Sequence, residues 1–155
     1  MKKFPSSWNG TPVPYTATFE ELSMNVETPG PLAWASCIAL GHMENSAALQ
    51  KLVELAKSAD WRYRRSAIEA VAYHSQEKTA IGTIQIALHD SSSYVVRSAC
   101  QTVGTLHLLE AHNDVLALLE SQEPYTREIA VGSLSEIWQL SDFDTVYTRL
   151  LHLKN

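Results

Sequence analysis

The sequence predicts an all-α protein, a right-handed α-solenoid of about four helix hairpins preceded by a half-repeat. Three observations predict it. First, an apolar and small-residue pattern recurs around Leu40, Val71, Val103 and Leu134, at separations of 31, 32 and 31 residues. Recurrence at a fixed interval of this size marks a stacked array in which each repeat is one supersecondary unit. Second, each repeat holds two segments with helical spacing of apolar positions. Third, no segment shows the sustained alternation that a half-buried strand requires.

The elements follow in order. Residues 1–15, with prolines at 5, 12 and 14, cannot form a helix and are read as an extended N-terminal arm. Trp8 either pins that arm to the first helices or belongs to a frayed terminus. Residues 16–155 are read as a single repeat domain. Phe19, Leu22 and Val26 form the half-repeat.

The first helix of each repeat carries four columns along one stripe. These are Ser36/Ala67/Ala99/Ala130, then Leu40/Val71/Val103/Leu134, then the small column Gly41/Ala72/Gly104/Ser135, and finally Met43/His74/Leu106/Ile137. Small residues let neighbouring helices approach, and the larger ones fill the space between layers. The second helix carries Leu49/Ile81/His112/Phe143, Leu52/Ile84/Val115/Val146 and Ala56/Leu88/Leu119/Leu150. Breaker and capping residues separate the helices at Pro29-Gly30-Pro31, Glu44-Asn45-Ser46, Ser58-Ala59-Asp60, Asp90 to Ser93, Glu123-Pro124 and Ser141-Asp142.

Composition sets limits on function. The chain has 155 residues, 45% hydrophobic and 19% charged, with a formal net charge of −5. A mildly acidic chain disfavours sequence-independent nucleic-acid binding, which depends on basic side chains at phosphates. No stretch approaches the roughly 18 consecutive apolar residues of a membrane helix. No apolar run follows Lys2-Lys3, so the expected location is cytoplasmic. Cys37 and Cys100 share one column two repeats apart, too far for a disulfide, and are expected to be reduced core residues.

The segments Asp60-Trp61-Arg62-Tyr63-Arg64-Arg65-Ser66-Ala67-Ile68-Glu69-Ala70-Val71-Ala72 and Asp90 to Gly104 resemble HEAT repeats. The resemblance is closest to the short bacterial kind known from phycobilisome-lyase-type proteins, and it covers about residues 18–153. It implies a HEAT-like solenoid of about four helix hairpins, a scaffold that serves adaptors, lyases, DNA-repair enzymes and regulators. It further implies a structural ladder in which a turn Asp meets a helix Arg, here Asp60 with Arg65 and Asp90 with Arg97. Trp34 and Glu128 replace the Arg in the outer repeats.

Catalytic chemistry finds no support. The histidines at 42, 74 and 107 share no column, and no His pair at i, i+4 or Cys–His cluster suggests zinc. His74 is read as a satisfied core histidine. No nucleophile elbow, glycine-rich phosphate loop or placed cysteine–base pair is present. The expectation is a non-enzymatic chain with no cofactor and no metal.

Two groups of residues are candidate partner-binding sites. In Trp61, Arg62, Tyr63 and Arg64, aromatic and cationic groups interleave at a helix start, as anchors for a protein or for nucleotide bases do. The alternative is that the rings cover the edge between repeats. Trp138 and Leu151 occupy columns that are polar in earlier repeats. They either pack on each other to close the stack or expose a patch for a partner or a second copy of the chain. The exposed sides of the second helices (Lys51, Glu54, Lys57, Thr83, His89, Asp114, Glu120, Thr145) carry mixed charge.

The function expected is an adaptor or scaffold, or a regulatory subunit, that presents a rigid surface to another protein. Self-association through the C-terminal repeat is the second partner considered. One alternative is nucleic-acid binding through the arginine–aromatic edge. Another is an accessory subunit of a lyase-like complex.

Overall fold

The computed structural model describes residues 18–26, 31–138, 147, 148 and 151. Its elements are α1 (Phe19–Asn25), α2 (Pro31–Gly41), α3 (Ser46–Leu55), α4 (Trp61–Val71), α5 (Lys78–Ala87), α6 (Ser93–Leu106), α7 (His112–Ala117) and α8 (Pro124–Glu136). There is no strand among the described residues. The arm at 1–15, Trp8 within it, and the Ser141-Asp142 turn lie outside them.

Three of the described helices start at a capping side chain. Thr18 and Glu21 close a capping box at α1. Asn45 Oδ1 accepts from the Ala48 amide at 2.8 Å, and Asp60 Oδ1 accepts from the Arg62 amide at 2.9 Å. Pro124 occupies the first turn of α8, where its missing N–H costs nothing. The third hairpin departs from the simple pattern. Its second helix is a short α7 between 3-10 turns at Leu109–Ala111 and Leu118–Glu120. No side chain caps its start at Ala111, and tighter i→i+3 bonding takes up orphaned groups at such ends.

Helices α2, α4, α6 and α8 pack side by side in sequence, with α3, α5 and α7 completing each hairpin and α1 lying against α2. Two of the four first-helix columns become core throughout, while Ser135 of the small column is exposed and Met43, His74 and Leu106 are half-buried. Ser36, Ala67, Ala99 and Ala130 are buried, as are Leu40, Val71, Val103 and Leu134. In the second layer Leu52, Ile84 and Val115 are fully buried. Leu22 and Val26 of the half-repeat join the same cluster. His74 departs from its expected role: it is only half-buried, and its Nε2 is buried without a hydrogen-bond partner.

At Gly41 and Gly104 neighbouring first-layer helices approach closely. A Cβ on Gly41 would lie 2.7 Å from the Ala70 carbonyl oxygen, and one on Gly104 would lie 2.9 Å from Ser133 Cα. Cys37 and Cys100 are free and buried. Burial pushes both thiols up to about 11, Glu69 adding to the effect at Cys37 and a Ser133 hydrogen bond opposing it at Cys100. Since the thiolate is the reactive form, both should resist alkylation at pH 8 in the native state and react promptly after denaturation. Rapid native-state labelling of either would show that its layer opens readily.

Candidate protein-binding surface

The starts of α4, α6 and α8 lie next to one another, and each carries an aromatic residue in its first turn: Trp61, Tyr94 and Tyr125. Trp61 stacks on Tyr94 with ring centroids 4.5 Å apart and planes 19° from parallel. The Arg97 guanidinium sits 4.7 Å from the Tyr94 ring centre and 5.1 Å from that of Tyr125. Arg97 Nη1 also donates to Glu123 Oε2 at 2.8 Å. Trp61, Tyr94, Arg97 and Tyr125 therefore form a continuous rail across three repeats. Stacking and cation–π contacts of this kind each contribute about 0.5–1.5 kcal/mol. Tyr94 and Tyr125 remain 50% and 57% exposed. Between them lies a depression of ≈ 230 Å³ lined by Arg65, Arg97, Ser98, Gln101 and Ile129 together with the two tyrosines.

The residues singled out in the sequence separate into different roles. Arg62 is exposed, but its guanidinium folds back on Asp60, with Nη2 2.6 Å from Oδ2. That hydrogen bond is the main reason the Asp60 carboxyl is held below its ordinary range. Trp61 is partly covered by Tyr94 and the core. Tyr63 is half-buried, with its hydroxyl enclosed and unpartnered. Arg64 turns inward. Its Nε and Nη2 donate to the two oxygens of Asp90 at 2.7 Å each, and Nη1 donates to the Ser58 and Ala59 carbonyls. Both side chains of that pair are only 13% exposed.

The ladder implied by the resemblance is thus present in a different register. Asp60 does not meet Arg65, nor Asp90 Arg97. Arg65 instead binds Glu69 at 2.8 Å within its own helix. Among the described residues the arginine–carboxylate contacts between repeats are Arg64–Asp90 and Arg97–Glu123, each spanning 26 residues. Arg127 occupies the column of Arg64 and likewise donates to carbonyls of the preceding turn, at Ser121 and Gln122. The 26-residue spacing was visible in the sequence and was the available signal.

Sequence reasoning took Tyr94 and Tyr125 only as covers of the edge between repeats, and it passed over Glu69. Glu69 joins three repeats by accepting from Trp34 Nε1 at 3.2 Å, from Arg65 Nε at 2.8 Å and from Ser98 Oγ at 3.3 Å. Its neighbours sit 35 and 29 residues away, beyond the reach of any local pattern. Trp138 and Leu151 are 42% and 47% exposed.

Among the described residues no group of three or more His, Cys, Asp or Glu side chains is placed to hold a metal ion. No helix among them is long and apolar enough to cross a membrane.

The side-by-side hairpins sharing one seam define the class of fold, an α-solenoid of HEAT-like repeats. Among solved structures it is similar to the complex of CpcE and CpcF of phycocyanin lyase from Nostoc sp. PCC7120, with a TM-score of 0.64 and 20% sequence identity. The match covers 88% of this chain and 57% of that one, so this chain spans little more than half the length of the protein it resembles. No family model matches the chain, and no curated protein does either.

Proposed function

We propose that the chain is a non-enzymatic protein-binding module that acts by presenting the Tyr94–Tyr125 rail to a protein partner. The observation that carries this reading is the rail itself. Two half-exposed tyrosines are locked in place by Trp61, Arg97 and Glu123 before any partner arrives. Tyrosine, tryptophan and arginine dominate the binding energy of protein interfaces, and a pre-ordered surface lowers the entropic cost of association. The arginines around the rail support a protein over a polyanion. Arg62, Arg64, Arg65 and Arg97 each already hold a carboxylate, which leaves little positive charge for phosphates.

The experiment is capture of the native partner from source cells by wild-type chain and by variants of equal thermal stability. Tyr94→Ala with Tyr125→Ala should weaken retention about 30-fold or more, the effect of losing hot-spot residues. Arg62→Ala should have a small effect. Unchanged retention by the double tyrosine variant would remove the rail as the binding surface. Trp138→Ala with Leu151→Ala tests the second patch in the same assay.

A narrower reading makes the chain an accessory subunit of a lyase-like complex. It is supported by the likeness to a lyase built from two different chains, CpcE and CpcF. On that reading the captured partner is a second chain of a lyase-like complex that acts on a protein-bound chromophore. Capture of a partner of any other kind would set this narrower reading aside.

A further inference from the structure

A cavity of ≈ 370 Å³ opens between the turn that joins α2 to α3 and the turn that joins α4 to α5. It shares no residue with the Tyr94–Tyr125 rail, which runs along the other end of the first-layer helices. Its volume lies at the lower end of the range for small-molecule sites. Glu44 and Glu77 line it, whereas no lysine or arginine does. Neither carboxylate has a hydrogen bond or ion pair among the described residues. Glu77 even holds the N-cap position of α5, yet its side chain caps no amide.

The rest of the lining is partly apolar and aromatic. Leu49 is buried, and Tyr73 is 53% exposed with the His42 ring centred 4.0 Å from its own. His74 borders the same cavity, and its Nε2 is enclosed without a hydrogen-bond partner. That is an unusual state for a buried polar atom.

Two carboxylates without partners attract positive charge. Glu44, His74 and Glu77 do not converge closely enough to hold a metal ion, so a larger group must carry that charge. A guanidinium suits the lining better than an ammonium does. Its N–H donors lie in one plane and reach several acceptors at once, here two carboxylates and a ring nitrogen. Its flat face packs on an aromatic ring, and its aliphatic stem covers apolar surface. We infer that this cavity receives the side chain of an arginine from a protein partner. An arginine within a chain has no free carboxylate of its own for Glu44 and Glu77 to repel.

The probe is N-acetylarginine amide, which mimics an arginine inside a polypeptide. Titrated into the full chain to roughly 50 mM at constant ionic strength, it should shift the backbone amide resonances of both turns with a Kd of about 1 mM, the scale for a ligand of so few atoms. N-acetylcitrulline amide has nearly the same shape without the charge and should produce no saturable shifts. N-acetyllysine amide and free L-arginine should each bind about threefold or more weakly, the first for lack of a planar fork and the second for its carboxylate. Glu44→Gln and Glu77→Gln should each weaken the probe about threefold, the scale of a solvent-accessible charge pair, and together about tenfold. Tyr94→Ala with Tyr125→Ala should leave its binding unchanged, so failure here and failure of the rail are distinguishable. No saturable shift by the arginine probe overturns the proposal, as does equal binding of the citrulline analogue or equal binding by the double glutamine variant. Tighter binding of the lysine analogue or of free arginine also overturns it, in favour of an ammonium or a small metabolite as the occupant. Matching thermal melts show that the variants keep the fold.

Discussion

Replacing Arg64 with alanine is expected to cost about 3 kcal/mol of folding stability, the scale for removing one partner of a largely buried ion pair. The loss leaves Asp90 charged and mostly enclosed, and it frees the Ser58 and Ala59 carbonyls that Arg64 also holds. Asp90→Ala should cost less. Arg64 would keep its two carbonyl acceptors, although the Ser92 amide loses the Asp90 oxygen that caps it at 2.8 Å. Arg64→Lys should recover only part of the loss, because an ammonium cannot span both carboxylate oxygens and the turn carbonyls together. In a double-mutant cycle the two changes should couple by about 1 kcal/mol or more. Additive effects in chemical denaturation would show that the pair does not join the two repeats.

The same pair sets a dependence on pH. The Arg64 hydrogen bonds, helped by the Ser92 amide, lower the Asp90 carboxyl below its ordinary value despite its burial. A carboxylate whose native pKa is depressed contributes stability that is fully present above the unfolded value, near 3.9. That contribution fades as pH falls through the lower native value. The wild type should therefore lose stability progressively below about pH 4. Arg64→Ala should lack that part of the acid sensitivity. Parallel acid titrations of the two proteins would refute the assignment.

The second large effect is expected at the glycines between layers. Gly104→Val should destabilise the chain by about 3 kcal/mol or more, and Gly104→Ala by about 1–3 kcal/mol. The clash at Gly104 is with the backbone of α8, since Ser133 Cα would lie 2.9 Å from the new Cβ and Ser133 Cβ only 3.1 Å away. Relief requires separating α6 from α8, not rotating a side chain. Gly41→Ala should behave similarly against the Ala70 carbonyl. Gly132→Ala is the control. Nothing lies within 4 Å of its added Cβ, so the higher helix propensity of alanine should raise stability by about 0.5–1 kcal/mol. Thermal melts in which all three alanine variants shift alike would refute the close approach at Gly41 and Gly104.

These expectations rest unequally on sequence and structure. Periodicity alone located the core. The column containing Cys37, Ile68 and Cys100 is buried in three repeats, and its fourth member, Val131, is 39% exposed on α8. Glycine at 41 and 104 could be read from the small column, because only a close approach explains glycine where neighbours would accept alanine.

The pairing of charges could not be read in the same way. Arg62, Arg64 and Arg65 lie within four residues, yet successive helical positions are about 100° apart, so the three point in different directions. One grips its own N-cap, one reaches the next repeat, and one pairs along its own helix. Column alignment matched Arg65 to Arg97 by residue type, whereas the contact goes to whichever side chain the helix rotation aims at the following turn.

The sequence by itself determined the repeat, the helix order, the buried columns and the glycine seams. All of these follow from local periodicity and from the need of each hairpin to cover its apolar face with the next. Only the tertiary structure decided which arginine bridges two repeats, that Glu69 ties three helices together, and that Trp61, Tyr94, Arg97 and Tyr125 join into one rail. Those contacts depend on the rotation and offset between neighbouring helices, quantities that the packing of whole layers sets and no single segment encodes.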